Sequence, residues 1–305
     1  MTNQENNVNV ASLIFKEESM GIVLNQAAEG RAEKAATAVR YRSRTTKDTS
    51  LPKVAILFTS GLEQLVEWDQ IEFKVPLDEI EGFEELKNLG QVKGHSRELF
   101  LAQMGNIRLW GLAGRIHLNE NPFNAGPLRQ MVRLQYDLLA KLGVETLILT
   151  SAVGSCRPCV RIGQIGVIES CLRDSGTILT GCSGEFGELE SALCPQLQRI
   201  ALEARPENQD QFFRTIPVTH HFWLGPDIES PQIKRLLAQK GADVVGMSSQ
   251  PGIEAAMRQG VKVLALGYVT NGFTHDHDAV IDAAQTHGPD WMAHLIETIT
   301  TIHHA

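Results

Sequence analysis

Four short runs of hydroxyl-bearing or small residues, one with an arginine and a histidine, are the main candidates for chemistry. Thr59-Ser60-Gly61, Arg115 with His117, residues 151–155 and Ser248-Ser249 each follow a short apolar run. Hydroxyls, backbone amides and an arginine are groups that surround a phosphate or a similar oxyanion. In extended geometry, residues two apart point to the same side, so Arg115 and His117 would face one ligand together. We therefore expect one oxyanion site built from several segments.

None of these segments is specific by itself. A Ser-Gly turn is usually only a turn, and an isolated Arg-x-His pair usually lies on a surface strand. The sequence contains no glycine-rich dinucleotide motif and no Walker loop. The run Gly181-Cys182-Ser183-Gly184-Glu185 departs at its last position from the serine-hydrolase nucleophile motif. The oxyanion hypothesis therefore depends on the segments meeting in the fold.

A close cysteine pair, Cys156 and Cys159, suggests a redox site or half of a zinc site. A structural zinc ion usually takes two close pairs of ligands, and the other cysteines stand singly at positions 171, 182 and 194. The residues after Cys159 predict a turn that leads to a strand, whereas a redox pair of this spacing opens a helix. A structural role for both thiols is therefore favoured.

Two histidine-containing segments raise the question of a metal ion. In an extended run over residues 275–278, His275 and His277 would share one face, and a carboxylate from elsewhere would complete a ligand set. A hydrated loop is the more frequent use of such a run, so no metal is expected. His220 and His221 are predicted to lie in a loop or at a strand edge.

Short apolar runs bounded by turn residues predict the strands that position these groups. Such runs cover residues 54–58, 99–104, 107–112, 146–150, 166–168, 244–247 and 261–269. Apolar residues at helical spacing predict helices over residues 127–142, 232–240, 252–258 and 291–302. Strands that alternate with helices predict an α/β layer fold with a mostly parallel or mixed sheet. Ligands of such sheets collect at the carboxyl ends of the strands, where the hydroxyl-rich runs fall.

The N-terminal part is predicted to differ from the rest. Residues 1–50 form a lead, weakly structured to about residue 26, with a surface helix over residues 27–41, and residues 51–305 form one α/β domain. The net charge of −8 disfavours nucleic acid as a partner. The sequence has neither the features of a signal peptide nor an apolar run of membrane-spanning length, and its five cysteines are an odd number. We expect a cytoplasmic protein with reduced thiols and no membrane partner.

The order of the candidate segments resembles that of the trimeric purine nucleoside phosphorylases and their methylthioadenosine phosphorylase relatives. The resemblance covers roughly residues 52–302 and is most specific in residues 241–248 followed by Thr270-Asn271. The matching segments are residues 56–62, Gly94-His95, 114–117, 150–155, 225–229, 241–248 and 269–271. The resemblance implies a nucleoside phosphorylase-like α/β fold, with a three-layer, mixed β-sheet flanked by helices. It also implies phosphorolysis of a purine nucleoside to the free base and a pentose 1-phosphate.

The resemblance also implies roles for individual residues. Ser60, Arg115, His117, Ser248 and the backbone amide of Ala152 match the phosphate site, and His95 matches the residue that closes over the site. Glu229 and Asn271 match the pair that recognises the purine, and these two with His95 are the implied catalytic residues. The positions implied beside the nucleoside are Asn119, Ile228, Glu229, Val245, Met247, Asn271 and His287. Inorganic phosphate is then a co-substrate, and no other cofactor or metal is implied.

Carboxylate chemistry indicates which base such a site would take. A carboxylate can only accept hydrogen bonds, so Glu229 suits the N1–H of a 6-oxopurine and opposes the bare N1 of adenine. An amide N–H of Asn271 would support the purine as negative charge grows on it during cleavage. The resemblance further implies a homotrimer or a dimer of trimers.

The chain departs from the family pattern at the sugar and the base. Asn119 and Ile228 stand where family members usually carry aromatic residues, and the segment over residues 169–195 is short, with Phe186 as its only aromatic candidate. Loss of aromatic faces weakens stacking on a sugar or a base. Two alternatives therefore stay open: an enzyme for another nucleoside, such as a methylthio-nucleoside, and a catalytically weak nucleoside-binding protein.

Overall fold

The computed structural model describes ten stretches of the chain. They are residues 10–43, 51–59, 62–65, 68–89, 95–120, 125–174, 179, 187–205, 215–273 and 277–304. Side chains are described for the same residues except 10–25, 63, 64, 125 and 277–281.

The described strands form one mixed sheet that partly closes on itself. They are β1 (Val54–Phe58), β2 (Gln70–Pro76), β3 (Glu98–Met104), β4 (Ile107–Ala113), β5 (Thr146–Ser155), β6 (Ile165–Leu172), β7 (Thr215–Phe222), β8 (Val244–Gly246) and β9 (Lys262–Asn271). Their order is β2-β3-β4-β1-β5-β8-β7-β6-β9, and β9 also pairs with β5. The five strands from β5 to β9 therefore form a closed ring, from which β1 to β4 extend as an open sheet.

Strand β5 belongs to both parts of the sheet. Its first half pairs with β1 in parallel, and its last two residues pair with β8 in antiparallel orientation. Along its other edge, β5 pairs in parallel with β9 over almost its whole length. The mixed sheet predicted from the sequence is confirmed. The change of partner from β1 to β8 leaves a gap along one edge of β5.

Helices cover both faces of the sheet. They are α1 (Val10–Ser43), α2 (Ala125–Lys141), α3 (Pro195–Glu203), α4 (Pro231–Gln239), α5 (Ser249–Gln259) and α6 (His277–His304). Buried side chains of α1, α2 and α5 share one apolar cluster, whereas those of α3 and α6 share another cluster. Each cluster lies between the sheet and one layer of helices, as a three-layer arrangement requires. No helix of these described stretches combines the length and apolarity that crossing a bilayer requires.

Several features of the fold, among them the unpredicted helix α3, differ from the sequence-based predictions. Strands β2 and β7 were not predicted, because β2 alternates polar and apolar residues at a sheet edge and β7 contains a proline and two histidines. Helix α1 begins at Val10 rather than near residue 27, so the prediction of a weakly structured lead is wrong for residues 10–26. Within α1, small side chains at Ala32 and Ala36 are fully buried, which allows α1 to pack closely against α2.

Two candidate segments also lie in different structures from those predicted. Residues 151–155 continue strand β5 and do not form a loop. His220 and His221 lie on β7, between β6 and β8, and both are buried. The prediction of a loop or strand edge for these histidines is therefore wrong. Burial in the sheet lowers the pKa of His220 to about 3, so this ring is neutral and packs as part of the interior.

Candidate active site

Arg115 joins three structural elements at the carboxyl end of the sheet. It lies just after β4 and is 1% exposed. Its Nη2 donates to the backbone carbonyl of Thr150 on β5, and its Nη1 donates to the carbonyl of Ser248, 3.3 Å away, just before α5. Burial lowers the pKa of Arg115, and the neighbouring Tyr136 hydroxyl opposes this shift. An arginine pKa starts so high that the group stays charged, so Arg115 is a buried cation with further N–H groups to donate.

The backbone of Ala152 lies on the same edge of β5 as the Thr150 carbonyl. The amide and the carbonyl of a strand residue point to one side, and that side repeats at every second residue. Strand β1 ends at Phe58 and does not pair with β5 at Ala152. The amide of Ala152 therefore faces the gap in which Arg115 lies.

The beginning of α5 favours negative charge at the same place. Ser248 directly precedes this 11-residue helix, and its hydroxyl does not cap the helix. The first amides of a helix have no intrahelical acceptor and attract anions. Ser249, the first helical residue, has its hydroxyl 2.7 Å from that of Ser151 on β5, which fixes the helix start against the strand.

Two histidines lie beside Arg115. The ring centroids of His95 and His117 are 4.9 Å apart, and His95 Nδ1 is 2.9 Å from the carbonyl oxygen of Arg115. Burial lowers the pKa of His95 to about 4, and burial with the nearby His95 and Arg115 lowers the pKa of His117 well below its usual value. Both rings are therefore neutral at pH 7 without a bound anion. The neighbouring backbone of Met247 opposes this shift in the pKa of His117. We call Arg115, His95, His117, Ser248 and the Ala152 amide the anion end of the site.

A buried ion pair fixes the loop that carries His117. Arg97 Nη2 lies 2.7 Å from Glu120 Oε2, and both side chains are almost fully buried. The other carboxylate oxygen of Glu120 accepts from the backbone amide of His117 at 3.0 Å. Burial raises the pKa of Glu120, and Arg97 opposes that shift. The pair was not predicted from the sequence, because Arg97 precedes β3 and Glu120 follows β4, and only the pairing of the two strands brings them together.

The opposite side of the site contains a buried carboxylate, an amide and a lysine. Glu229 is 5% exposed and lies in the loop before α4, whereas Asn271 is 6% exposed at the end of β9. The Thr270 hydroxyl lies 3.2 Å from Asn271 Oδ1. Lys234, on α4, is fully buried and donates to the carbonyl of Gly272. We call Glu229, Lys234, Thr270 and Asn271 the base end of the site.

Gly154 on β5 makes room for the base end. A Cβ atom at Gly154 would lie 2.8 Å from Lys234 Nζ and 3.2 Å from Asn271 Oδ1. The ammonium group of Lys234 and the amide of Asn271 therefore both lie next to Gly154. Sequence analysis missed Lys234. The available signal was a lysine at helical spacing from Leu237, on the apolar face of the predicted helix.

Asn119 and Met247 lie between the two ends. Asn119 Nδ2 is 3.3 Å from Met247 Sδ. Gly225 has a φ of +75°, and a Cβ atom there would lie 2.5 Å from Met247 Sδ and 2.7 Å from Asn119 Nδ2, so only glycine fits. Val245 packs with Cys156 in a small apolar cluster under α4. Three predicted nucleoside-site residues, Asn119, Val245 and Met247, thus have defined places along β8 and next to it.

The other residues predicted from the sequence either lie outside the described residues or keep a predicted role that the structure does not test. Ser60 and Phe186 lie outside the described residues, as do His275, Asp276 and the side chains of the next two positions. Ile228 is half-buried next to Glu229. His287, on α6, packs against Gly163 and Trp291, so its place beside a ribose stays a prediction.

The cysteine pair has the features of structural thiols. Cys156 is buried and Cys159 is exposed, and neither forms a disulfide. Burial raises the pKa of Cys156 to about 12, so its reactive thiolate is not populated at neutral pH. Among the residues that the structure describes, no group of three or more histidine, cysteine, aspartate or glutamate side chains is arranged to bind a metal ion.

The structure thus combines a partly closed, mixed α/β sheet with a buried arginine at one side of the candidate site and a carboxylate–amide pair at the other. The family comparison specifies the class. The model of the phosphorylase superfamily matches residues 54–302, and the chain belongs to this family.

Individual relatives agree with this assignment. A Schizosaccharomyces pombe protein, named provisionally as a purine nucleoside phosphorylase, is 31% identical over 241 residues, which are 74% of this chain and 72% of that one. The purine nucleoside phosphorylase of Mycobacterium tuberculosis is 34% identical over 179 residues, which are 58% of this chain and 62% of that one.

Solved structures show the same fold. Isoform 2 of purine nucleoside phosphorylase from Schistosoma mansoni, in complex with cytosine and ribose-1-phosphate, superposes with a TM-score of 0.72 at 25% identity. This alignment covers 88% of the present chain and 95% of the Schistosoma chain.

Proposed function

We propose that this chain is a purine nucleoside phosphorylase that acts on 6-oxopurine nucleosides with inorganic phosphate as co-substrate. The observation that carries the proposal is the connection between the two ends of the site. Arg115, at the anion end, donates to the carbonyl of Ser248, and the side chain of Met247, directly before Ser248, contacts Asn119, where a sugar would separate phosphate from base. The relatives named as purine nucleoside phosphorylases support the same activity.

The proposed reaction transfers a pentosyl group from a purine to phosphate. The glycosidic C–N bond breaks, its electron pair goes to the purine, and positive charge develops on the sugar. A phosphate oxygen held by Arg115 forms the new C–O bond, and the purine takes up the proton that the phosphate loses. Positioning the phosphate next to the sugar contributes most, because it replaces a bimolecular encounter. A donor at the purine contributes about 3 kcal/mol more.

The base end suits the purine of a 6-oxopurine nucleoside. The Thr270 hydroxyl lies at Asn271 Oδ1, which leaves the Nδ2 group to donate to the purine as negative charge grows. Glu229, as a carboxylate, accepts from the N1–H of hypoxanthine or guanine. Adenine has no hydrogen on N1, so its N1 and the carboxylate would both be acceptors.

The experiment is a comparison of catalytic efficiency on inosine, guanosine, adenosine and methylthioadenosine, with and without phosphate. A buried site built for a hydrogen bond rejects the wrong partner by about 10⁴-fold, so inosine and guanosine should lead by a large factor. Asn271→Asp should shift the preference towards adenine nucleosides.

Two outcomes would contradict this proposal. Equal or better cleavage of adenosine by the unaltered protein would remove Glu229 as the group that recognises N1–H. Binding of inosine without any phosphate-dependent cleavage would favour a nucleoside-binding protein, the alternative that Asn119 and Ile228 suggest by replacing aromatic residues.

Assembly and cellular location are further parts of the proposal. A homotrimer or a dimer of trimers is expected, and light scattering tests it, since a monomer that turns over nucleoside would contradict it. A cytoplasmic location agrees with four cysteines that are free in the described part of the chain. Fractionation of cells with an antibody against the protein tests the location.

A further inference from the structure

Lys234 is a buried cation in an unfavourable position. It is fully buried in the first turns of α4, which begins at Pro231 with Ser230 as its N-cap. Burial disfavours an ammonium ion, and the positive end of the helix dipole disfavours it further. Burial accordingly lowers the pKa of Lys234. A lysine in this position requires compensating partners.

The partners of Lys234 lie at the base end. Its ammonium donates to the carbonyl of Gly272, directly after Asn271. The Glu229 carboxylate is the largest electrostatic influence that favours the charged form of Lys234, and Cys156 follows. Asp243, another nearby carboxylate, forms an ion pair with Arg157. Glu229 is therefore the carboxylate that balances Lys234.

We propose that Lys234 is a specificity-determining residue that positions the Glu229–Asn271 pair for a 6-oxopurine. This inference rests on the proposed function. Within the described residues, Lys234 forms no ion pair with a surface carboxylate that would explain its burial. Its Nζ and the Asn271 amide both lie close to the Cβ position of Gly154.

The ammonium group has two effects on the base end. The ammonium group and the Glu229 carboxylate attract each other, and a carboxylate can only accept hydrogen bonds. The same cation attracts the amide oxygen of Asn271, as does the Thr270 hydroxyl at 3.2 Å, so the Nδ2 group is directed towards the purine. The first effect favours hypoxanthine over adenine, because only hypoxanthine carries a hydrogen on N1. Lys234 acts through its neighbours and needs no contact with the base.

The test removes the charge of Lys234 and keeps a side chain of similar shape. Lys234→Gln retains a donor for the Gly272 carbonyl but has no charge, and Lys234→Met removes both the donor and the charge. The matched control is Lys240→Met at the other end of α4, where Lys240 is exposed and pairs with Asp174. Isothermal titration of each protein with hypoxanthine and with adenine gives the ratio of the two affinities, and thermal unfolding shows that each variant is folded.

We expect the hypoxanthine-to-adenine affinity ratio to fall about tenfold or more in both Lys234 variants, because a charge-assisted arrangement is lost. Lys240→Met should keep the wild-type ratio. A merely structural lysine would weaken both bases equally in the variants, and a lysine needed only for the Gly272 hydrogen bond would leave Lys234→Gln at the wild-type ratio. Either result would overturn the inference.

The titrations separate this inference from the proposed function. Base binding does not require turnover, so a wild-type protein that prefers hypoxanthine but cleaves no nucleoside would contradict the phosphorylase proposal alone. An unchanged ratio in the Lys234 variants of an active wild type would contradict the role of Lys234 alone. A wild type that binds neither base would overturn both.

Discussion

The anion end and the base end of the site are fixed in different ways. At the anion end, Arg115 and His95 bond to backbone carbonyls, so the strand ends themselves determine the geometry. At the base end, Lys234 also bonds to a backbone carbonyl, at Gly272, but side chains contact other side chains as well: the Thr270 hydroxyl lies at the Asn271 amide, and the Glu229 carboxylate favours the charge of Lys234. The base end therefore depends more on individual residues. The two departures from the family pattern lie outside the anion end. Asn119 lies between the two ends, and Ile228 is next to Glu229.

The largest effect is expected at the anion end, from Arg115→Ala. Loss of the buried cation should reduce phosphorolysis by about 10³-fold or more, because the charge that holds the oxyanion disappears. The variant should also lose about 1–3 kcal/mol of unfolding free energy for each buried carbonyl left without a donor, at Thr150 and Ser248.

Phosphate titration of the initial rate and chemical denaturation measure these two effects. Arg108→Ala is the matched control, since Arg108 on β4 pairs with Glu72 away from the site. An unchanged apparent phosphate affinity in Arg115→Ala would exclude Arg115 from the anion end.

A smaller effect is expected at the base end from Gly154→Ala. The added Cβ atom would lie 2.8 Å from Lys234 Nζ, and the flexible lysine must move away from Asn271. The catalytic efficiency on inosine should fall about tenfold, as expected for one displaced charged hydrogen-bonding group, with little change in phosphate affinity.

Steady-state kinetics with each substrate varied in turn separate the two ends. Gly126→Ala is a suitable control because, among the described residues beyond its own stretch of helix α2, no atom lies within 4 Å of its Cβ position. A Gly154→Ala enzyme in which phosphate affinity falls as much as inosine affinity would show that the ends are not independent.

The smallest effect is expected from a change in pH. Unfolded histidines bind a proton near pH 6.5, whereas the pKa of His95 is about 4 in the folded protein because the ring is buried. The unfolded state therefore gains protons first, and stability should fall as pH decreases from about 6.5 towards 4. The expected loss is about 1 kcal/mol for such a histidine between pH 7 and pH 5.5.

Denaturant unfolding of the wild type and of His95→Gln at several pH values checks this contribution. The variant should lose less stability on acidification than the wild type, because glutamine does not titrate. Equal pH dependence of the two proteins would show that His95 does not contribute.

Sequence patterns predicted the fold best where strands are continuously apolar. β1, β5 and β9 are buried on both faces and have runs of valine, leucine and isoleucine that a periodicity argument detects. β7 was missed because His220 and His221 have the composition of a loop, although the sheet accommodates them as neutral rings. The length of β5 was underestimated, since small residues such as Ser151 and Gly154 resemble a loop.

The order of motifs predicted most groups of the site, but not the contacts that fix them. Arg115, His117 and Asn271 follow strands that the sequence identifies. Lys234 and the Arg97–Glu120 pair could not be found in this way, because their roles depend on which distant elements pack together. A lone lysine on an apolar helix face is informative only when a carboxylate is known to lie opposite.

Strand β5 contributes contacts to both ends of the site. The spacing of these contacts along β5 therefore sets the distance between the two ligands. Thr150, Ala152 and Gly154 alternate along β5, the first bonded to Arg115 and the last beneath Lys234 and Asn271. At about 3.3 Å per residue, four steps separate the ends by about 13 Å. A strand cannot stretch, and a one-residue insertion in β5 between Thr150 and Gly154 would turn Gly154 to the opposite face. The distance between the two ends therefore cannot change without the loss of one ligand's contacts.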